Sequence, residues 1–91
     1  MAVEVRLPTL LRPLADGAAS VAADGSTVGE VFDALTATYP GLAGQLVDES
    51  GTLHKFVNVY VNDDEIRYLE QLATPVTDRD VVSILPAVAG G

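Results

Sequence analysis

Cysteine is absent from the 91 residues, and that absence removes several chemistries at once. The chain has no disulfide framework, no thiolate nucleophile and no sulfur ligand for zinc or an iron–sulfur cluster. Tryptophan is also missing, and histidine and methionine occur once each. Positive charge is scarce. Five Lys and Arg against thirteen Asp and Glu give a net charge of -8, which repels a phosphate backbone and leaves no basic patch for nucleic acid. On net charge the expected partner is a basic protein surface. No apolar stretch approaches the roughly 20 residues of a membrane span. The residues after Met1 lack the basic and apolar regions of a signal peptide, so a soluble cytoplasmic protein is expected. What is present is a 48% apolar fraction and a mean hydropathy of +0.29, too apolar for a disordered chain. One core, and therefore one small domain, is expected at this length.

Ala2 to Leu7 alternates, with Val3, Val5 and Leu7 on one face and Glu4 and Arg6 on the other, as a half-buried strand requires. Pro8 and Pro13 restrict the next segment, Asp16-Gly17 is a turn pair, and Ala18 to Ala22 is expected to return as the second strand of a hairpin. Thr27-Val28-Gly29-Glu30 fits a capping box ahead of a helix. The apolar stripe of that helix is Val28, Val31, Phe32, Leu35 and Tyr39, and Pro40-Gly41 stops it. Leu42 to Val47 reads as a shorter helix. Phe56 to Val61 alternates again, with Val57, Val59 and Val61 on one side and Phe56, Asn58 and Tyr60 on the other. Asn62-Asp63 supplies a turn, Glu65 to Arg67 a short returning strand, and Val81 to Leu85 the apolar run of a strand buried in mid-sheet. The pattern predicts an α+β domain: a mixed sheet of four to five strands with one main helix on one face, over residues 1–86, followed by a flexible tail, 87–91.

Few side chains offer chemistry. His54 has no nucleophile in a recognisable motif and no second histidine to accompany it, and it reads as a loop residue ahead of a strand. Asp63-Asp64-Glu65 lacks the alternating ligands and glycine of a calcium loop. No Gly-rich phosphate loop with Lys occurs. No bound metal or cofactor is expected. Phe56 and Tyr60 lie opposite the valines and are candidates for an apolar contact face. The tail Ala87-Val88-Ala89-Gly90-Gly91 carries no side chain larger than Val. Packing gives a frayed end no reason for such restriction, whereas Gly90-Gly91, without Cβ atoms, can thread a narrow channel and bring a carboxylate to a partner.

Taken in order, these features resemble the β-grasp sulfur-carrier family related to ubiquitin, which includes the ThiS and MoaD types. The likeness rests on Val3-Glu4-Val5-Arg6-Leu7-Pro8 with Leu11-Arg12-Pro13, the helix from Val28, Phe56-Val57-Asn58-Val59-Tyr60-Val61-Asn62, and the ending Ile84-Leu85-Pro86-Ala87-Val88-Ala89-Gly90-Gly91. Within the family, Leu53-His54-Lys55-Phe56-Val57-Asn58 and the tail are similar to the CysO type. Asp78-Arg79-Asp80 stands where such carriers commonly have Asp-Gly-Asp, which puts a left-handed turn residue in question there.

The resemblance implies a carrier that is itself no enzyme. An E1-like enzyme would use ATP to adenylate Gly91, and a sulfur donor would convert the acyl-adenylate to a thiocarboxylate. Ala87, Val88, Ala89 and Gly90 would enter the partner's active site, with Phe56 and Tyr60 on the docking face. It further implies a sulfur-accepting synthase such as a cysteine synthase, a JAMM-type metalloprotease that releases the product, and a monomer when free. Two other readings stay open: the small subunit of molybdopterin synthase, and a ubiquitin-like modifier joined to lysines.

Overall fold

The computed structural model describes residues 2–47 and 57–86. Strands β1 (Ala2–Arg6), β2 (Ser20–Asp24), β3 (Val57–Val61), β4 (Asp64–Glu65) and β5 (Val81–Pro86) form one sheet in the order β2-β1-β5-β3-β4. β1 and β5 run parallel at the centre, and the remaining pairs are antiparallel. Helices α1 (Val28–Thr38) and α2 (Ala43–Leu46) complete the α+β architecture.

The period-two pattern decides which sheet face is covered. Val3 and Val5 of β1, Val57, Val59 and Val61 of β3, and Val82 and Ile84 of β5 are all buried, as are Val28, Val31, Phe32 and Leu35 of α1. Each such side chain contributes about 1.5–3 kcal/mol on leaving water. The cap of α1 follows the expected chemistry. Thr27 Oγ1 accepts from the Glu30 N–H at 3.2 Å, and the Glu30 carboxylate accepts from the Ser26 N–H at 2.8 Å. The first bond satisfies a donor that a helix start leaves unpaired, and the second ties Glu30 to the residue before the N-cap.

Several expectations need correction. Residues Thr9–Ala15 form a 3-10 helix, with Leu11 and Ala15 buried. It ends at Asp16 and Gly17, both at positive φ (57° and 83°). The Ala18 N–H then bonds back to the Ala15 carbonyl, so that donor belongs to the turn. β2 consequently begins at Ser20 instead of Ala18 and runs to Asp24, in a register that pairs Val5 with Val21.

β4 stops at Glu65, where Glu65 to Arg67 was expected to be strand. Ile66 is drawn fully into the core, and Ile66–Tyr68 turns as a 3-10 segment. β5 lies in mid-sheet as expected, but it is covered on one face only: Val82 and Ile84 are buried, while Leu85 is 46% exposed. At Asp78-Arg79-Asp80 no positive φ is needed, since Arg79 is absent from the left-handed positions. The turn closes through the Asp80 N–H on the Thr77 carbonyl and the Thr77 N–H on the Asp80 carboxylate.

Candidate functional site

β5 ends at Pro86, opposite Val57 of β3, and the five residues 87–91 follow. Gly91, Gly90, Ala89, Val88 and Ala87 lie outside the described residues, as do Phe56 and His54. The described part of the site is therefore the end of the sheet from which the tail departs. On the open face Tyr60 is half-buried and paired with Ser83 of β5 and Glu65 of β4, three residues along β3 from the tail end. Asn58 is opposite Leu85, and Arg6 is opposite Ser83. Tyr60 thus occupies the face opposite the buried valines, as its alternation requires.

Arg67 fastens the free edge of β3 here. Its guanidinium donates to Asn58 Oδ1 at 2.6 Å, to Glu65 Oε1 at 3.2 Å and to the Val57 carbonyl at 3.0 Å. Because β4 pairs only with Tyr60 and Val61, the Val57 carbonyl has no strand partner on that side, and the guanidinium supplies the donor. A groove opens alongside, between the end of β1, the 3-10 helix and β5, lined by Arg6, Leu10, Arg12 and Leu85 among others. Arg12 Nε donates to the Leu7 carbonyl at 3.2 Å across the groove wall. Neither Leu10 nor Arg12 was singled out from the sequence as a contact residue. The signal available there was Leu10 itself, an apolar residue at the start of a segment flanked by Pro8 and Pro13.

Among the described residues no group of three or more His, Cys, Asp or Glu is placed to hold a metal ion. No helix there is long and apolar enough to cross a membrane. The turn carboxylates Asp63, Asp64 and Asp80 lie at the far end of the sheet. Asp80 is held below its ordinary value of 3.8 by the Asn62 amide first and by the Thr77 N–H second.

Comparison with known proteins agrees with this architecture. Residues 5–91 match the ThiS family. The chain is 52% identical over 93 aligned positions to the sulfur carrier protein CysO of Mycobacterium tuberculosis, with all of both chains covered. It is 47% identical over 68 positions to small archaeal modifier protein 3 of Haloferax volcanii, covering 75% of this chain and 73% of the relative. The crystal structure of the BexX/CysO complex of Amycolatopsis orientalis contains a chain that superposes with a TM-score of 0.91 at 47% identity, covering 99% of this chain and all of that one. The chain belongs to the ThiS family of β-grasp sulfur-carrier proteins and is of the CysO type within it.

Proposed function

We propose that Gly91 is the sulfur-carrying residue and that the tail 87–91 is a reactive arm on a β-grasp body of residues 1–86. The observation that carries this reading is the extent of the family match, which runs through Gly90 to Gly91 itself. A carboxylate resists nucleophilic attack because its charge is delocalised and its oxygen leaves poorly. An E1-like partner overcomes this with ATP: a Gly91 carboxylate oxygen attacks the α-phosphorus, pyrophosphate departs, and a sulfur donor then displaces AMP to leave a thiocarboxylate. Cationic groups of the partner stabilise the phosphate charge as it develops. With no cysteine in the chain, the thiocarboxylate is the nucleophilic sulfur it can offer, since a thioether such as Met1 cannot take that place.

In this reading the carrier supplies no catalytic group of its own and binds no cofactor; ATP and the sulfur donor are used by the partner. Ala87, Val88, Ala89 and Gly90 pass through the partner's channel, where the absence of large side chains permits close approach. Tyr60 and Phe56 belong to the docking face. The acceptor is a cysteine synthase-like enzyme, and a JAMM-type metalloprotease frees the product when the carrier is left acylated. The setting is the cytoplasm, and the carrier is monomeric when free. The likeness to a small archaeal modifier protein favours a second reading, in which the same activated Gly91 is passed to lysine amines.

Deleting Gly91, or replacing it with a bulky residue, tests the proposal. Thiocarboxylate formation by the E1-like enzyme is lost while the melting curve is unchanged. Undiminished thiocarboxylate in either variant rejects Gly91 as the carrier residue.

A further inference from the structure

The sheet has two edges, and the chain treats them differently. At one, β4 covers Tyr60 and Val61 of β3, and the Arg67 guanidinium closes on the Val57 carbonyl beyond them. The other edge is β2, which pairs with β1 alone. Register fixes which of its backbone groups are used. The Leu7 N–H donates to the Ala19 carbonyl at 2.9 Å, and the antiparallel ladder continues with Val5 opposite Val21 and Val3 opposite Ala23. Successive residues of a strand direct their N–H and C=O groups to opposite sides. Val21 and Ala23 therefore turn theirs to β1, and Ser20 and Ala22 turn theirs outward. Both outward residues are exposed, and neither forms a hydrogen bond on that side among the described residues. A bare edge is commonly blunted by lysine, proline or a bulge. Ser20-Val21-Ala22-Ala23-Asp24 has no lysine or proline, and its pairing with β1 runs through every residue without a bulge.

We infer that the outer edge of β2 receives an extended, basic segment of a partner protein as a further strand of the sheet. Main-chain donors and acceptors repeating every second residue match the backbone of another strand, and alternate side chains then set the specificity. Ser20 and Ala22 are too small to obstruct its approach. Val21, half-buried against the core on the helix side, offers contact to β-branched residues at alternate positions of the incoming segment. Charge decides the sign. The ionised groups on and beside the edge are Asp24, Glu30, whose carboxylate accepts from the Ser26 N–H just past β2, and Glu4, opposite Ala22. Arg6, opposite Ser20, is engaged by Glu4 at 2.8 Å. The local sum is negative, as is the net charge of -8, so a basic segment is attracted and an acidic one repelled. A second copy of the chain brings the same negative charge and is the poorer occupant. β1 lies between β2 and β5, which places the edge two strand spacings, about 10 Å, from the strand that carries the tail. Nothing at this edge depends on the role of Gly91.

The test is amide hydrogen exchange, read residue by residue by NMR on the full chain, with and without an excess of the peptide acetyl-Lys-Val-Thr-Val-Thr-Val-Lys-amide. Exchange at the Ser20 and Ala22 N–H groups should slow by about tenfold or more, while Val21 and Ala23, already bonded to β1, keep their rates. Ala22→Pro removes one outward donor at a position where an edge strand admits proline. It should melt cooperatively and lose the slowing at Ser20. The same peptide methylated at every central amide nitrogen loses its own donors without altering the carrier, and should slow neither amide, which keeps the test decisive if Ala22→Pro does not fold. Replacing both peptide lysines by glutamates should weaken binding by about tenfold or more. Unchanged exchange at Ser20 and Ala22 with the unmethylated peptide overturns the inference, and so does equal slowing by the methylated one. Equal binding of the acidic peptide overturns the basic character of the partner. Slowing that grows with carrier concentration in the absence of peptide assigns the edge to a second copy and overturns the partner segment.

Discussion

Asn62 and Asp80, far apart in sequence, clasp the end of the sheet remote from the tail. The Asn62 amide donates to Asp80 Oδ1 at 3.0 Å, and Asn62 Oδ1 accepts from the Val81 N–H at 3.1 Å. The clasp needs Asn62 at a φ of 58°, a left-handed conformation that asparagine tolerates better than most residues. Asp80 Oδ2 meanwhile accepts from the Thr77 N–H at 2.8 Å. One carboxylate therefore ties the β3–β4 turn to the turn that launches β5.

Asp80→Ala should cost about 1 kcal/mol near neutral pH, the scale of a lost hydrogen bond. Its pH dependence has a definite sign. The folded-state pKa of Asp80 is lowered from 3.8, first by the Asn62 amide and then by the Thr77 N–H, so its contribution is fully present above 3.8 and is lost as pH falls through the lower folded value. Urea titrations of the parent and Asp80→Ala, repeated from neutral to acid pH, should converge across that window. A stability difference that does not change with pH would contradict the assignment.

Neighbouring residues of β5 should respond oppositely to the same substitution. Ile84 is 1% exposed and Leu85 46%. Ile84→Asp buries an unpaired charge and should unfold the domain, as Val59→Asp should on β3, whereas Leu85→Asp should melt cooperatively. Circular dichroism melts of the three variants check this, and a folded Ile84→Asp protein would show the face assignment to be wrong.

Two glycines should likewise diverge. A Cβ at Gly25 would meet the Val31 backbone nitrogen at 2.6 Å, while one at Gly44 in α2 meets nothing within 4 Å. Gly25→Ala should destabilise by about 1–3 kcal/mol through overpacking. Gly44→Ala should stabilise by about 0.4–1 kcal/mol through the unfolded chain. Chemical denaturation of each measures both signs.

The cap of α1 offers a smaller effect. Thr27→Ala removes the acceptor for the Glu30 N–H and should cost about 1 kcal/mol. Thr27→Ser should recover most of it, and equal stability of the two variants would contradict a capping role for the hydroxyl.

The sequence was most legible where local chemistry and tertiary packing agree. The valines of β1 and β3 alternate because one sheet face is covered, and Thr27 with Glu30 marks a helix start because unpaired N–H groups require it. It was least legible where a local signal was overridden. Pro8 and Pro13 read as breakers, yet Pro13 sits within a 3-10 helix whose Leu11 and Ala15 reach the core. That turn consumes donors and moves β2 along by two residues. The run Val81 to Leu85 suggests burial on both faces, but periodicity cannot reveal that only one face is covered. The proposed role of the tail rests on Gly90 and Gly91, which lack Cβ atoms and lie outside the described residues. The contacts of Arg67 were not legible, because Asn58 and the Val57 carbonyl meet its guanidinium only across the edge of β3.

The most direct test of the account is the intact mass of the untagged protein after incubation with ATP, a sulfide source and the host's E1-like enzyme. A gain equal to replacing one oxygen by sulfur, mapped to Gly91, is the expected result. An unchanged mass, with the enzyme shown to be active on another carrier, would contradict the account.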